Sequence, residues 1–443
     1  MHELNQLRQY AIPLKADKAN YEPLMSSIGD CRFVLLGEAS HGTAEFYRER
    51  CLISKKLIQE KGFNAIVIEG DWPDSYRVND FVKGQSSDPD AYAALGGFQR
   101  FPAWMWRNDE VFEFLNWLKV FNGRVNVASK LIGFYGMDLY SLFISMDIVL
   151  EYLKKVDPVL AERAKKRYAC FDHYNKDSQL YGYLASYGER LHSCEQEVVE
   201  QMNEFLKMKE YIRALGSTKK DEFFSAMQNT RLIKNAEEYY RAMFSGKFSS
   251  WNLRDQHMVE TIAEIDRHLS KNLGVPAKII VWAHNSHLGD ARATQQSLSG
   301  ELNVGQLMRQ KYASEVYSLG FTTYQGYVTA AAEWGASAER KSINPGLEGS
   351  YEKLFHQLGF ERFLYIFKDN PQLRAVLPSK LLERAIGVVY LPQSERNSHY
   401  FYANMTNQFD AVLHIDTTEA LKPLEKYAPI PKEDAPETFP SGL

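Results

Sequence analysis

Cysteine is scarce in this chain: Cys31, Cys51, Cys170 and Cys194 are the four in 443 residues. That is too few for a disulfide framework at this length, and no two stand at the CxxC spacing of a redox or zinc motif. All four are expected to be small buried apolar side chains. An excess of one charge is also missing. Lys and Arg total 52 against 56 Asp and Glu, a net charge of −4, so the basic surplus typical of a nucleic-acid binder is absent. No window approaches the ~18 apolar residues of a transmembrane helix. The opening MHELNQLRQYAIPL carries Glu3 and no sustained apolar stretch, unlike a secretory signal. These absences predict a soluble, cytoplasmic protein with no nucleic-acid or membrane partner.

Familiar catalytic signatures are missing too. There is no G-x-S-x-G elbow, which argues against a serine nucleophile of the α/β-hydrolase kind. There is no P-loop, no dinucleotide G-x-G-x-x-G and no H-E-x-x-H. A hydrolase built from this sequence would use water as its attacking group, activated by a side chain or by a metal.

Glycine and proline are thin in one stretch. Residues 141–270 hold four of the 27 Gly and one of the 16 Pro, so this stretch should be mostly helix. Its apolar residues agree, since Val198, Met202, Phe205, Met208 and Ile212 recur at spacings of three and four. The flanks carry short apolar runs suited to buried strands: Arg32–Leu36, Asn64–Ile68, Leu131–Tyr135, Lys278–Trp282 and Glu315–Leu319. Thr43–Lys61 between the first two has a helical stripe, which makes a βαβ unit and implies parallel pairing. Phe363–Phe367, Gly387–Tyr390 and Ala411–Ile415 are further strand candidates. The predicted fold is therefore α/β: a mostly parallel central sheet flanked by helices, with a large all-helical insertion. Residues 1–140 and 271–421 would form the discontinuous core and 141–270 the insertion. Residues 422–443, with five prolines, would form an extended tail.

What is present in abundance is aromatic side chains, 13% of the chain, enough to fill a core and still line a cleft. The most informative pattern lies just past the end of each strand candidate. Gly37-Glu38-Ala39-Ser40-His41-Gly42 comes after the first, Glu69-Gly70-Asp71-Trp72 after the second, Gly136-Met137-Asp138 after the third and His284-Asn285-Ser286-His287 after the fourth. Ligands of open parallel sheets bind beyond the carboxyl ends of the strands, so these groups would surround one crevice. Each piece has a plainer reading. Glu38 and His41 also fit a helix start capped by Ser40 or Thr43, and Glu69 or Asp138 also fits a loop-holding carboxylate. His284 and His287 stand i, i+3, close enough on a helical turn to face one point. Four such endings in succession favour acid–base chemistry over coincidence.

These segments bring a family into view. LLGEASHGTAEFYRER (Leu35–Arg50), AIVIEGDW (Ala65–Trp72), WMWRNDEV (Trp104–Val111) and GFYGMDLYS (Gly133–Ser141) resemble the erythromycin esterase-like proteins. So do RDQHM (Arg254–Met258), WAHNSHLGD (Trp282–Asp290) and ERNSHYFYA (Glu395–Ala403). This is a bacterial group connected with macrolide resistance and succinoglycan biosynthesis. The resemblance implies an α/β core with a large helical part and hydrolysis of a macrolide lactone ester. It implies catalytic residues Glu38, His41, Arg50, Glu69, His284 and His287, with His41 as general base.

On this reading a neutral His41 takes a proton from water, while Glu38 or Glu69 fixes its tautomer. Arg50 stabilises the oxyanion or orients a carboxylate, and His284 or His287 assists the leaving group. Trp72, Trp104, Trp106, Arg107, Asp138 and His399 are the expected substrate-binding residues. Tyr76 and Phe98 join the tryptophans as candidates for stacking on a sugar face or an apolar macrocycle, with core packing as the alternative. No cofactor is expected. The main rival is a metallohydrolase in which Glu38, His41, Glu69, His284 and His287 bind a divalent ion; a guanidinium such as Arg50 in the cluster argues against it. A non-catalytic small-molecule carrier, or an accessory of polysaccharide biosynthesis, is the second rival.

Overall fold

Runs of four apolar residues such as FVLL and IIVW can be buried on both faces of a sheet, and they define its centre. The computed structural model describes residues 2–15, 19–187, 193–212, 217–244 and 249–425. Its strands are β1 (Ile12–Pro13), β2 (Phe33–Leu36), β3 (Ala65–Asp71), β4 (Gly133–Asp138), β5 (Ile279–Trp282) and β6 (Val316–Ala330), followed by β7 (Glu339–Ile343), β8 (Arg362–Ile366), β9 (Leu381–Arg384), β10 (Tyr400–Ala403) and β11 (Ala411–Thr418). Among the described residues nine of these make one sheet, ordered β1-β8-β11-β6-β2-β5-β3-β4, with β7 on β6. All pairings from β11 across to β4 are parallel, whereas β1, β7 and β8 pair antiparallel. The fold is thus α/β with a mostly parallel sheet, as the apolar runs predict. β9 and β10 form a separate antiparallel pair.

Alternation along the strands divides the core into two layers. Val34, Leu36, Ile66, Ile68, Ile280 and Trp282 face helices Ala44–Lys61 and Asp109–Asn122. Phe33, Leu35, Ala65, Val67, Ile279 and Val281 face the other way, into a layer that includes helices Leu142–Val156, Ser217–Met243 and Ser249–Leu273. The described part of 141–270 is helical, and its apolar stripes cover this second face. No helix of the described residues is long and apolar enough to cross a membrane.

Three local expectations change. Gly387–Tyr390 is not a strand. It runs irregularly, with isolated bridges from Ile386 to Ser40 and from Val389 to Ala331, and the strand lies earlier, at β9. Cys170 and Cys194 are disulfide-bonded, because the turn Ala169–Tyr174 packs beside the start of helix Glu195–Ile212; Cys31 and Cys51 are free and buried. Within the expected tail, Pro423 bridges to Asn108 and Glu425 pairs with Arg107, while 426–443 lie outside the described residues.

Candidate active site

The carboxyl ends of β2, β3, β4 and β5 open onto one cavity of about 550 Å³, a size that suits a small-molecule ligand. The loop after β2 is tightly packed. A Cβ on Gly37 would lie 2.2 Å from Asn285 Oδ1, and one on Gly42 would lie 1.8 Å from the Thr329 carbonyl oxygen. Only glycine at both ends lets this loop press against β6 and the turn after β5. Within it, His41 Nδ1 donates to Glu38 Oε1 at 2.9 Å, and Glu38 Oε2 lies 2.9 Å from Arg50 Nη1. Arg50 is fully buried on helix Ala44–Lys61, donating through Nε to the Gly37 carbonyl (2.9 Å) and through Nη2 to that of Ala283 (2.7 Å). With Nδ1 committed to a carboxylate, the neutral ring of His41 carries its lone pair on Nε2, and His41 lines the cavity.

Glu69 on β3 gathers a second set of partners. Its Oε2 accepts from the His284 backbone N–H at 2.9 Å, and its Oε1 accepts from Arg254 Nη2 at 2.8 Å and lies 3.3 Å from His287 Nε2. Burial would push its pKa up, but His287, Arg254 and His41 outweigh burial and hold it well below the usual carboxylate range. Asp138 at the end of β4 takes Arg254 from the side, through Nε at 3.0 Å and Nη2 at 2.6 Å. Arg254 therefore binds two carboxylates from adjacent strands.

The turn after β5 is a short helix, Asn285–Leu288, capped by the His284 side chain, whose Nδ1 accepts from the Ser286 N–H at 3.2 Å. Nδ1 as acceptor places the proton of the neutral ring on Nε2. Burial, together with His41 nearby, pushes the His284 pKa well below the usual imidazole range, so the ring is neutral. Its centroid lies 4.8 Å from that of His41. His287 sits differently. Its Nδ1 donates to Asp255 at 2.9 Å, and its ring stacks on Trp251 with centroids 4.4 Å apart. Burial and Arg254, whose Nη1 lies 3.1 Å from His287 Nε2, oppose its charge, but Asp255 and Glu69 prevail and raise its pKa to about 9. Two histidines three residues apart are thus held in opposite protonation states.

Of the predicted residues, His41, Glu69, Asp138, His284, His287, Trp106 and His399 line the cavity, as does Phe98. Glu38 and Arg50 lie behind His41 and do not line the cavity, so of the two roles expected of Arg50 the geometry matches the orienting of a carboxylate, Glu38, and not contact with an oxyanion. Trp72 and Tyr76 are elsewhere: Trp72 is buried in a stack with Tyr76 and Tyr135 and donates through Nε1 to Ser225 Oγ. Trp104 is buried away from the cavity. Arg107 is engaged by Glu425 and by the Tyr92 ring. For these three tryptophan-and-arginine assignments packing prevails over ligand contact. The five residues of the rival metal site do not group as a ligand set: among the described residues no cluster of three or more His, Cys, Asp or Glu is placed to hold one ion.

Arg254, Asp255 and Trp251 belong to the site but were not among the predicted residues. A signal existed. Met258, Ile262 and Ile265 mark the buried stripe of helix Ser249–Leu273, and continuing it backwards at spacings of three and four meets 255, 254 and 251. Charges on a buried stripe need partners.

With fold and site in view, the relationship is plain. The erythromycin esterase family matches residues 58–418, and the chain belongs to that family. It is an esterase-like hydrolase. The chain is similar to the erythromycin esterase type II of Escherichia coli, 22% identical over 418 residues that cover 90% of this chain and 92% of that protein. Its fold is that of a Bacillus cereus protein of known structure (TM-score 0.79, 20% identity, 96% of this chain and 99% of that one). It is also that of a mutant of the erythromycin esterase EreC in its open conformation (TM-score 0.67, 17% identity, 94% and 99%).

Proposed function

We propose that this protein hydrolyses an ester or lactone by water that His41 activates, with macrolide lactones as the first substrates to test. The observation that carries this reading is the pairing of a tautomer-fixed His41 with a neutral His284 whose ring is 4.8 Å away across the cavity floor. One can accept a proton and the other can donate a hydrogen bond.

His41 Nε2 removes a proton from water as its oxygen bonds to the carbonyl carbon, and Glu38, steadied by Arg50, supports the imidazolium that forms. The carbonyl oxygen gains negative charge and is met by His284 Nε2–H, a neutral donor that loses no proton. When the intermediate collapses, the C–O bond to the alcohol breaks and His41 returns its proton to the alkoxide. Glu69, Arg254, Asp138 and His287 take no proton; they fix the His284 turn and balance its surroundings. The test is an ester and lactone panel, erythromycin included, run on wild type and His41→Ala. Wild type should cleave at least one member. The variant should lose about 10²–10⁴-fold in kcat with an unchanged melting temperature, and wild-type rates in the variant would overturn the mechanism.

A further inference from the structure

A buried polar atom without a partner loses its hydration for no return, so folded proteins keep few of them. His284 Nε2 is one, and the proposed chemistry uses it. Two other side chains, each 1% exposed, line the same cavity and leave such an atom unpaired: His399 at Nδ1 and Gln408 at Oε1. The less buried Trp334 Nε1 and Gln296 Oε1 line it unpaired as well.

Their chemistry can be read off. His399 Nε2 accepts from the Leu391 N–H at 3.4 Å, and burial lowers the pKa of the ring to about 4. The ring is neutral and Nδ1–H is a donor. Gln408 is locked beside the catalytic turn, with its main-chain carbonyl accepting from Asp290 N–H at 3.0 Å. Gly289 makes room for its side chain, since a Cβ there would lie 2.6 Å from Gln408 Cγ. Besides His284 Nε2, the buried unpaired atoms on the cavity wall are therefore two donors, of His399 and Trp334, and two acceptors, of Gln408 and Gln296. An ammonium would leave both donors unpaired, and a carboxylate or phosphate would leave both acceptors unpaired. A single amide plane cannot meet four groups set on separate segments. Hydroxyls donate and accept through one atom and rotate to suit, and the rings of Phe98 and Trp106 supply apolar faces for a carbon ring that carries them.

We infer that this wall is a hydroxyl-binding subsite and that the substrate is an ester of a polyol or sugar, with Gln408 and His399 reading its hydroxyls. The inference deepens the ester-hydrolase reading and rests on it for the word ester. The test uses two probes of similar shape, 6-O-butyrylglucose and cyclohexylmethyl butyrate, titrated calorimetrically into the His41→Ala protein. The sugar ester should bind at least about tenfold more tightly, because a site built for hydroxyls penalises their absence. Adding Gln408→Met should cut that preference at least about threefold while leaving the cyclohexyl probe unchanged. Should that variant fail to fold, His399→Leu gives the same readout. Equal affinities, binding of neither probe, or a preference untouched by both variants would overturn the subsite. Wild-type turnover separates the two readings: a clear hydroxyl preference in binding with no butyrate released keeps the subsite and removes the ester hydrolase.

Discussion

His287 is held as a cation between Asp255 and Glu69, and a raised folded-state pKa has a definite sign in stability. The unfolded imidazole titrates near ~6.5, the folded one at about 9. The stabilisation is therefore complete below the unfolded value and is lost as pH rises through the folded value, on the order of 3 kcal/mol in all. Denaturant midpoints of wild type and His287→Gln should differ most near pH 6 and converge by pH 10. A gap that stays constant across that range would show that His287 is neutral. At this scale the sequence was informative wherever a carboxylate or imidazole closes an apolar run, as at Glu38, Glu69, Asp138 and His284. The buried stripe of its helix marks Arg254, but not its partners Asp138 and Glu69, which lie 116 and 185 residues away. Nor could the sequence tell which tryptophans turn toward the cavity. Trp106 and Trp104 stand two apart, and only the first lines it, a choice made by how the segment packs rather than by residue type.

At the scale of elements, the loop after β2 works because it has no side chain where it meets β6. Gly42→Ala would push a methyl into the Thr329 backbone, where no rotamer change gives relief, and should cost about 3 kcal/mol or more. Melting temperature and activity should fall together, since His41 is the neighbouring residue; an unchanged melting temperature would mean that the β6 extension yields freely. Central strands were legible because burial on both faces demands unbroken apolar runs. Their lengths were not. β3 and β4 continue through Glu69, Asp71 and Asp138, and such residues read as loop when only hydrophobicity is followed. β6 likewise extends to Ala330, well past the Leu319 at which its apolar run stops. A strand is expected at GVVY rather than at LLER because GVVY is the more apolar, yet only LLER finds an antiparallel partner, β10.

At the scale of the whole molecule, the Cys170–Cys194 bond ties two parts of the helical layer across a sequence separation of 24. Closing a loop of that size is worth about 3 kcal/mol in the chain-entropy picture. A reductant should lower the melting temperature by several degrees and raise the titratable thiols of the unfolded chain from two to four. Four thiols without reductant would refute the bond. Cysteine count alone could not foresee this pairing, because two of four cysteines meet only after the helices pack.

The strand order also matters to the growing chain. β5 lies between β2 and β3 in the sheet, yet it comes after Asp138 by about 140 residues, or roughly 7–28 s of synthesis at the usual elongation rate. For that interval β2, whose two partners β5 and β6 are both still to be made, and the β3–β4 pair present unpaired apolar edges of the kind that recruit foreign strands, with the slot between them unfilled. The same late strand delivers the His284 turn, so the event that closes the slot also brings the two histidines of the cavity floor face to face.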